Sequence, residues 1–166
     1  RKETSFIPGH PIAGTEESGP ESGLLNLFKK RWFISIPCKL SKKIDQKKIE
    51  KIWIKFGSKV TSMSARSHDN IMAITSHIPH LIAYNIVGTA SKLEAKIKSD
   101  VIKFSASGFR DFTRIASSDP TMWRDIMIGN KKQILFMLKR FSKDLKYLEK
   151  AIQNNDKKKL FKFFQN

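Results

Sequence analysis

The longest regular pattern of apolar positions lies between residues 131 and 153. Apolar side chains recur there at spacings of four and three residues, at Ile134, Leu138, Phe141, Leu145, Leu148 and Ile152. This spacing places them on one stripe of an α-helix. The stripe predicts a packing seam with another helix, either of this chain or of a second copy. A short basic and aromatic helix is predicted to follow over residues 156–164.

The pattern is helical from residue 64 to the end of the chain. Asp69, preceded by His68, is predicted to cap a long helix that runs towards Lys98. Pro79 is predicted to kink this helix, because proline lacks the backbone N–H that a helix interior needs.

The first third of the chain has a different pattern. Short β-like segments at residues 4–8, 32–37 and 59–63 alternate with helical patterns at 23–30 and 44–56, and Gly57 is predicted to end the second helix. Alternation of this kind indicates parallel βα units. Three strands form a poor free-standing parallel sheet, so this region is expected to be the tail of a larger α/β domain. The predicted fold is mainly α with a small α/β portion, divided into residues 1–63 and 64–166.

The composition of the chain excludes several classes of protein. A hydrophobic content of 40% is enough for a packed core and excludes a wholly disordered chain. No stretch approaches the roughly 20 uncharged apolar residues that a membrane span needs. The single cysteine, Cys38, excludes an internal disulfide framework and is typical of a reducing cytoplasm.

The net charge of +17 raises the hypothesis of a nucleic-acid-binding protein. The basic residues are mostly lysine and are spread along the whole chain. Aromatic residues do not alternate with the basic runs, as a base-stacking platform would require. Nucleic-acid binding is therefore kept only as a distant alternative, and a small anionic ligand fits the charge better.

Residues 107–126 are the most informative segment for chemistry. Arginines and aspartates alternate there with aromatic residues: Arg110, Arg114, Arg124, Asp111, Asp119, Asp125, Phe109, Phe112 and Trp123. A pocket that holds a carboxylate through a planar guanidinium beside an apolar ring would have this composition. The alternative for Arg114 is a structural ion pair with Asp111 or Asp119.

The histidines supply candidate bases. His10 follows the first predicted strand, and the ends of parallel strands are where α/β active sites collect, so a neutral imidazole there could accept a proton. The alternative is a loop histidine bonded to backbone. His77 and His80 are three residues apart and have no completing ligands, which argues against a metal site. The glycines form no G-x-G-x-x-G turn or P-loop, and no nucleophile elbow is present.

Three blocks of sequence carry a family resemblance. Residues 9–19, GHPIAGTEESG, 68–84, HDNIMAITSHIPHLIAY, and 107–126, SGFRDFTRIASSDPTMWRDI, resemble the prephenate/arogenate (cyclohexadienyl) dehydrogenases of tyrosine biosynthesis. The likeness spans about residues 5–155. It implies the last part of a Rossmann-like dinucleotide-binding domain over 1–63 and an all-helical substrate-binding and dimerisation domain over 64–166. It also implies a homodimer in the cytoplasm with no nucleic acid or membrane partner.

The resemblance implies an NAD-linked oxidative decarboxylation, with NADP as the alternative cofactor. Hydride leaves C4 of a cyclohexadiene for the nicotinamide while the ring carboxylate departs as CO₂. His10 matches the catalytic histidine that takes the proton of the C4 hydroxyl, and Arg114 matches the arginine that grips a substrate carboxylate. The other matched pocket positions are His80, Thr15, Ser107 and Trp123. Glu16 lies near the side-chain end, where its charge could favour the ammonium of arogenate over the keto group of prephenate.

The chain differs from the family pattern because several sequence features of the dinucleotide-binding domain are missing. The Gly-rich turn, its acidic ribose contact and a serine that supports the catalytic histidine have no counterpart in the sequence. We therefore expect a fragment that binds NAD poorly and turns over negligibly by itself, because positioning the two reactants supplies much of the rate. The alternative function is a dimerisation and substrate-binding module without activity.

Overall fold

The computed structural model of the chain describes residues 5–14, 19–93 and 95–165. Strands occupy only its first part, whereas helices form nearly all of the remainder, so the predicted mainly-α fold with a small α/β portion is confirmed. In chain order, the elements are β1 (Gly9–Ile12), a 3₁₀ turn (Pro20–Ser22), β2 (Trp32–Ser35), α1 (Lys43–Lys55), β3 (Lys59–Ser62), α2 (Ala65–Met72), a π-helical turn (Ala73–His77), α3 (Ile78–Ser91), α4 (Ala95–Lys103), α5 (Ser107–Ala116), α6 (Pro120–Gly129), α7 (Lys131–Gln153) and α8 (Lys157–Phe164).

The sheet has the order β1-β2-β3 with β2 in the centre. β2 and β3 are parallel and are joined through α1, as the alternation of strands and helices predicts. β1 is antiparallel to β2, with Gly9 opposite Ser35 and Ile12 opposite Trp32, so the prediction of parallel units is wrong for the first strand. A parallel strand needs a long crossover connection, whereas an antiparallel neighbour does not.

Two predictions for the first third need correction. The described residues of 4–8 are not a strand: the ladder begins at Gly9, although Ile36 N–H still donates to the carbonyl of Pro8 at 2.8 Å. Residues 23–30 form turns rather than a helix. Leu27 and Lys29 donate to the carbonyls three residues before them, and Lys30 has a φ of 63°. A left-handed residue of this kind ends any helical run.

The long helix predicted from Asp69 to Lys98 is divided in the structure. It begins at Ala65, where the Ser64 hydroxyl accepts a hydrogen bond from Ser67 N–H at 3.1 Å, so Ser64 and not Asp69 is the cap. It widens into the π-helical turn, which ends two residues before Pro79, and Pro79 has no N–H to donate to the carbonyl of Thr75. α3 ends at Ser91, and α4 is a separate helix.

The remaining helices follow their sequence patterns closely. α7 covers residues 131–153 as its apolar stripe predicts, and α8 follows with Asp156 as its N-cap. α6 begins at Pro120, with the Asp119 carboxylate accepting from two backbone N–H groups of its first turn. α1 ends before Gly57, whose φ of 83° is readily adopted only by glycine.

Two clusters of buried side chains hold these elements together. The first joins Ile34 within β2 and Ile36 just after it to Met72 of α2, with Ile12 of β1 packed against them. The second joins the π-helical turn and α3 to α7 through Ala73, Ile78 and Ile134. The first cluster therefore fixes β1 against α2, and this packing determines where His10 lies.

Candidate active site

His10 lies within β1 rather than after a strand, which corrects the position predicted from the sequence. Within the part of the chain that the structure describes, β1 is an edge strand, and Pro11 is tolerated there because its missing N–H faces no further strand. Gly9 brings the strand close to β2: a Cβ atom at Gly9 would lie 2.3 Å from Cζ of Phe33, closer than two carbon atoms can pack. The sequence Gly-His thus presents a half-buried imidazole on a tightly packed edge strand.

The ring of His10 is paired with a second histidine. His10 Nδ1 lies 2.9 Å from His68 Nε2, and the two rings meet edge to face at 5.1 Å between centroids. On the far side of His68, its Nδ1 lies 2.9 Å from Oδ1 of Asp69. Strand β1 and helix α2 therefore meet through a linear His10–His68–Asp69 arrangement.

Asn130, at the junction of α6 and α7, ties this arrangement to the helical part. Its side-chain amide donates to the backbone carbonyl of Asp69 at 2.8 Å and lies 3.2 Å from Nδ1 of His77. His77 in turn contacts the ring of Trp123 edge to face, at 6.2 Å between centroids. The contacts run without interruption from the edge strand to α6.

His80 and Trp123 form the other end of the site. Their rings are stacked at 3.6 Å between centroids, and His80 Nδ1–H donates to the carbonyl of Ser76 at 2.8 Å, which leaves His80 Nε2 as an acceptor. Trp123 is only 7% exposed, and its indole N–H has no hydrogen-bond partner among the described residues. A buried donor without a partner is energetically costly.

Burial sets the protonation of the site. It lowers the pKa of His10 below the ordinary imidazole value, and the neighbouring His68 lowers it further. The pKa of His77 is lowered first by burial and then by the other three histidines, and burial lowers the pKa of His80. All four histidines of the chain lie in this cluster. Three of them are held neutral near pH 7 and can accept protons.

The structure places two more expected residues on a neighbouring helix. Ser107 begins α5 and Arg114 lies in its last turn, both exposed, and α5 packs against α3, which carries His80. Arg114 Nε lies 3.6 Å from Oδ1 of Asp111, the ion pair that the sequence offered as an alternative to a ligand contact. Thr15 and Glu16 lie outside the described residues.

Three members of the cluster were not among the expected site residues. His68 and Asp69 were expected to cap a helix, and Asn130 carried no signal of its own. The signal that could have found His68 is the small number of histidines, because only four occur in the chain and all four lie in the blocks 9–19 and 68–84 that carry the resemblance. In residues 5–14, 19–93 and 95–165, no group of three or more His, Cys, Asp or Glu side chains could hold a metal ion. In the same ranges, no helix is long and apolar enough to cross a membrane.

Two family models together match almost the whole chain. The family model for the prephenate dehydrogenase dimerization domain matches residues 64–166, and the model for the prephenate dehydrogenase nucleotide-binding domain matches residues 1–62. The chain is similar to a cyclohexadienyl dehydrogenase of Zymomonas mobilis, with 39% identity over 160 residues that cover 96% of this chain and 55% of the relative. It is similar to a prephenate dehydrogenase of Bacillus subtilis, with 32% identity and coverage of 96% and 43%.

Among solved structures, the chain is similar to the crystal structure of prephenate dehydrogenase from Aquifex aeolicus in complex with hydroxyphenyl propionate and NAD+. The TM-score is 0.88 and the identity 37%, with coverage of 96% of this chain and 56% of that chain. The chain therefore spans about half the length of the relatives that it matches.

Proposed function

Because the chain belongs to the prephenate dehydrogenase family, we propose that it supplies the substrate side of an NAD-dependent dehydrogenase of prephenate or arogenate. The reaction is the oxidative decarboxylation of a cyclohexadienyl substrate in tyrosine biosynthesis. In this proposal residues 1–63 belong to the dinucleotide-binding domain and residues 64–166 form the domain that binds substrate and dimerises.

The observation that carries the proposal is the half-buried, neutral His10 at the start of a contiguous cluster. Its lowered pKa leaves the imidazole unprotonated near pH 7. An unprotonated imidazole can take the proton of the C4 hydroxyl, which favours collapse of the alkoxide to a carbonyl as hydride leaves. General base catalysis of this kind contributes about 10²–10⁴-fold to a rate.

The other residues bind and orient the substrate in this proposal. The Arg114 guanidinium exchanges its long contact with Asp111 for a substrate carboxylate, which it can hold through two parallel hydrogen bonds. His80 and Trp123, whose rings are stacked, line the ring-binding end. Ser107 on α5 contributes to the lining in this proposal. The roles of Thr15 in the lining and of Glu16 beside the substrate side chain, where its charge would favour an ammonium over a keto group, rest on the family resemblance alone, because both residues lie outside the described residues.

The dinucleotide has no complete binding site in these residues. The eight glycines form no G-x-G-x-x-G turn, so the sequence offers no Gly-rich cradle for a pyrophosphate. We therefore assign no residue of this chain to the cofactor and take no step of the reaction through it. The assigned residues hold the substrate and move its hydroxyl proton.

A second copy of the chain is the proposed partner. The apolar stripe of α7 is only partly covered: Ile134 is buried, but Leu145 is 49% and Ile152 is 62% exposed. α8 adds Phe161 and Phe164, at 66% and 73%. Large apolar side chains concentrated on one pair of helices are typical of a protein–protein interface, and the family model for this region is that of a dimerization domain.

Two measurements test the function. The 166-residue chain is titrated with prephenate, arogenate and hydroxyphenyl propionate by calorimetry, and the chain fused behind the nucleotide-binding segment of the Zymomonas mobilis relative is assayed for NADH. We expect binding by the chain and NADH from the fusion. His10→Gln should lower kcat by about 10²–10⁴-fold, whereas Arg114→Gln should chiefly raise KM. Arg124→Gln is the matched control, because Arg124 pairs with Asp125 on the exposed face of α6.

The outcomes separate the alternatives. Binding and dimerisation without NADH from the fusion would favour the non-catalytic module. If the chain bound none of the three ligands, this result would contradict both the dehydrogenase and the non-catalytic substrate-binding module. A steep fall of DNA affinity with salt would instead favour the distant nucleic-acid hypothesis.

A further inference from the structure

The neighbours of His10 carry information about which of its two ring nitrogens bears the proton. His10 Nδ1 faces His68 Nε2 at 2.9 Å, and His68 Nδ1 faces the Asp69 carboxylate at 2.9 Å. A neutral imidazole has one N–H and one acceptor nitrogen, so a partner at one nitrogen determines what the other can do.

The direction of these two hydrogen bonds follows from Asp69. An ionised carboxylate only accepts, so a His68 ring that carries a single proton places it on Nδ1, where it donates to Oδ1 of Asp69. His68 Nε2 is then an acceptor. The contact at 2.9 Å requires a donor, which is the Nδ1–H of His10. The remaining nitrogen of His10, Nε2, is left with its lone pair.

The opposite arrangement would be unfavourable. If His10 carried its proton on Nε2, then its Nδ1 and the Nε2 of neutral His68 would be two acceptors facing each other at 2.9 Å. If His68 instead carried its proton on Nε2, its unprotonated Nδ1 would face the Asp69 carboxylate oxygen, and these two atoms would both be acceptors. Each choice leaves one close pair of atoms without a hydrogen between them, which is energetically unfavourable.

The scaffold keeps the pair in place. Only 16% of the His68 side chain is exposed, whereas the Asp69 side chain is 47% exposed. The backbone of Asp69 is held by Asn130 from the α6–α7 junction. The titratable groups that shift the pKa of His77 are the other three histidines, which lower it, and Asp69, which raises it. His68 therefore has a defined orientation rather than that of a surface side chain.

We propose that His68 and Asp69 are positioning residues that hold the proton of His10 on Nδ1 and so direct the lone pair of Nε2 to the substrate hydroxyl. The inference rests on the proposed function for its meaning, because it explains how His10 is prepared to act as a base. It is the orienting role that a third group commonly has beside a catalytic base.

The test is nitrogen NMR of the imidazole rings in the 166-residue chain at pH 8, about 1.5 units above the ordinary pKa of histidine. Four histidines give four ring systems, and substituting each one in turn assigns them. We expect His10 to carry a pyrrole-like Nδ1 and a pyridine-like Nε2. His68→Gln should preserve this pattern, because the Gln carbonyl oxygen can also accept from Nδ1–H. His68→Leu should remove it, leaving Nδ1–H as the minor form.

His77→Gln is the matched control, because it removes a histidine of the same cluster that does not contact His10 Nδ1, and it should leave the His10 pattern unchanged. A wild-type His10 with its proton mainly on Nε2 would overturn the proposal, and this result needs no variant to fold. Retention of Nδ1–H in a folded His68→Leu protein would also overturn it. Neither result depends on NADH formation, so failure of the positioning role is distinguishable from failure of the proposed dehydrogenase.

Discussion

Substituting Gly9 by alanine tests the packing that sets the position of His10. An added Cβ would lie 2.3 Å from Cζ and 2.6 Å from Cε2 of Phe33, so either the ring or strand β1 has to move. The ring cannot move cheaply. Phe33 is 2% exposed and is stacked on Trp53 with 4.4 Å between centroids.

The expected magnitude follows from the cost of inserting a methyl group into a packed core, about 1–3 kcal/mol. Replacing glycine also restricts the unfolded chain and returns about 0.4–1 kcal/mol of stability where the backbone conformation suits alanine. We therefore expect net destabilisation. A protein of this length loses about 2–4 °C in Tm for each kcal/mol, so Gly9→Ala should melt several degrees below the wild type.

The assay is thermal unfolding followed by circular dichroism, with tryptophan fluorescence as a local probe because Trp53 contacts Phe33. Gly88→Ala is the matched control. Gly88 lies inside α3 with no heavy atom within 4 Å of its added Cβ, so alanine there should raise stability by about 0.5–1 kcal/mol. A Gly9→Ala protein as stable as the wild type, beside a stabilised Gly88→Ala, would refute the close packing of β1 on Phe33.

Three further predictions concern the same molecule. The free energy of unfolding should fall as the pH drops from above 6.5 towards the lowered pKa values of His10, His77 and His80, because the unfolded chain binds more protons in that window. A urea midpoint that does not change between pH 7.5 and 5.5 would contradict the burial of these rings. Asp119→Ala should cost about 1 kcal/mol in urea unfolding, because it removes the acceptor of Thr121 N–H at 2.7 Å, and Asp119→Asn should lose much less. Ile78→Ala should cost about 2–5 kcal/mol, since Ile78 is 2% exposed in the second core cluster, whereas the exposed Ile74→Ala should change the midpoint little.

Much of the helical fold could be predicted because its signals are local. The stripe of α7 repeats over about five turns, and an α-helix is the only regular structure that places those positions on one face. The end of α1 at Gly57 and the N-cap of α8 at Asp156 are decided by residues at the ends themselves. The resemblance of three sequence blocks then predicted the family, which the comparisons confirm.

The errors arise where non-local contacts override local pattern. Residues 23–30 have apolar residues at helical spacing, but Leu24 is 58% exposed and Leu25 fully so. A helix of eight residues is marginal by itself, and this segment packs through Phe28 against Trp53 and Phe56 without burying Leu24 or Leu25. The direction of β1 depends on hydrogen bonds to β2, more than 20 residues later, about which the residues of β1 carry no information.

The candidate site depends on both local sequence signals and non-local contacts, so only some of its residues could be predicted from the sequence. His10, His80 and Trp123 lie in the sequence blocks that carry the resemblance. His68 also lies in such a block, but its meaning depends on a contact with His10 across 58 residues of chain. That contact exists because Met72, one turn after His68 on α2, packs against Ile34 beside strand β1. The orientation of the proposed base is therefore a consequence of hydrophobic packing between the sheet and the first helix after it, and a substitution such as Met72→Ala should disturb the His10 ring pattern without touching either histidine.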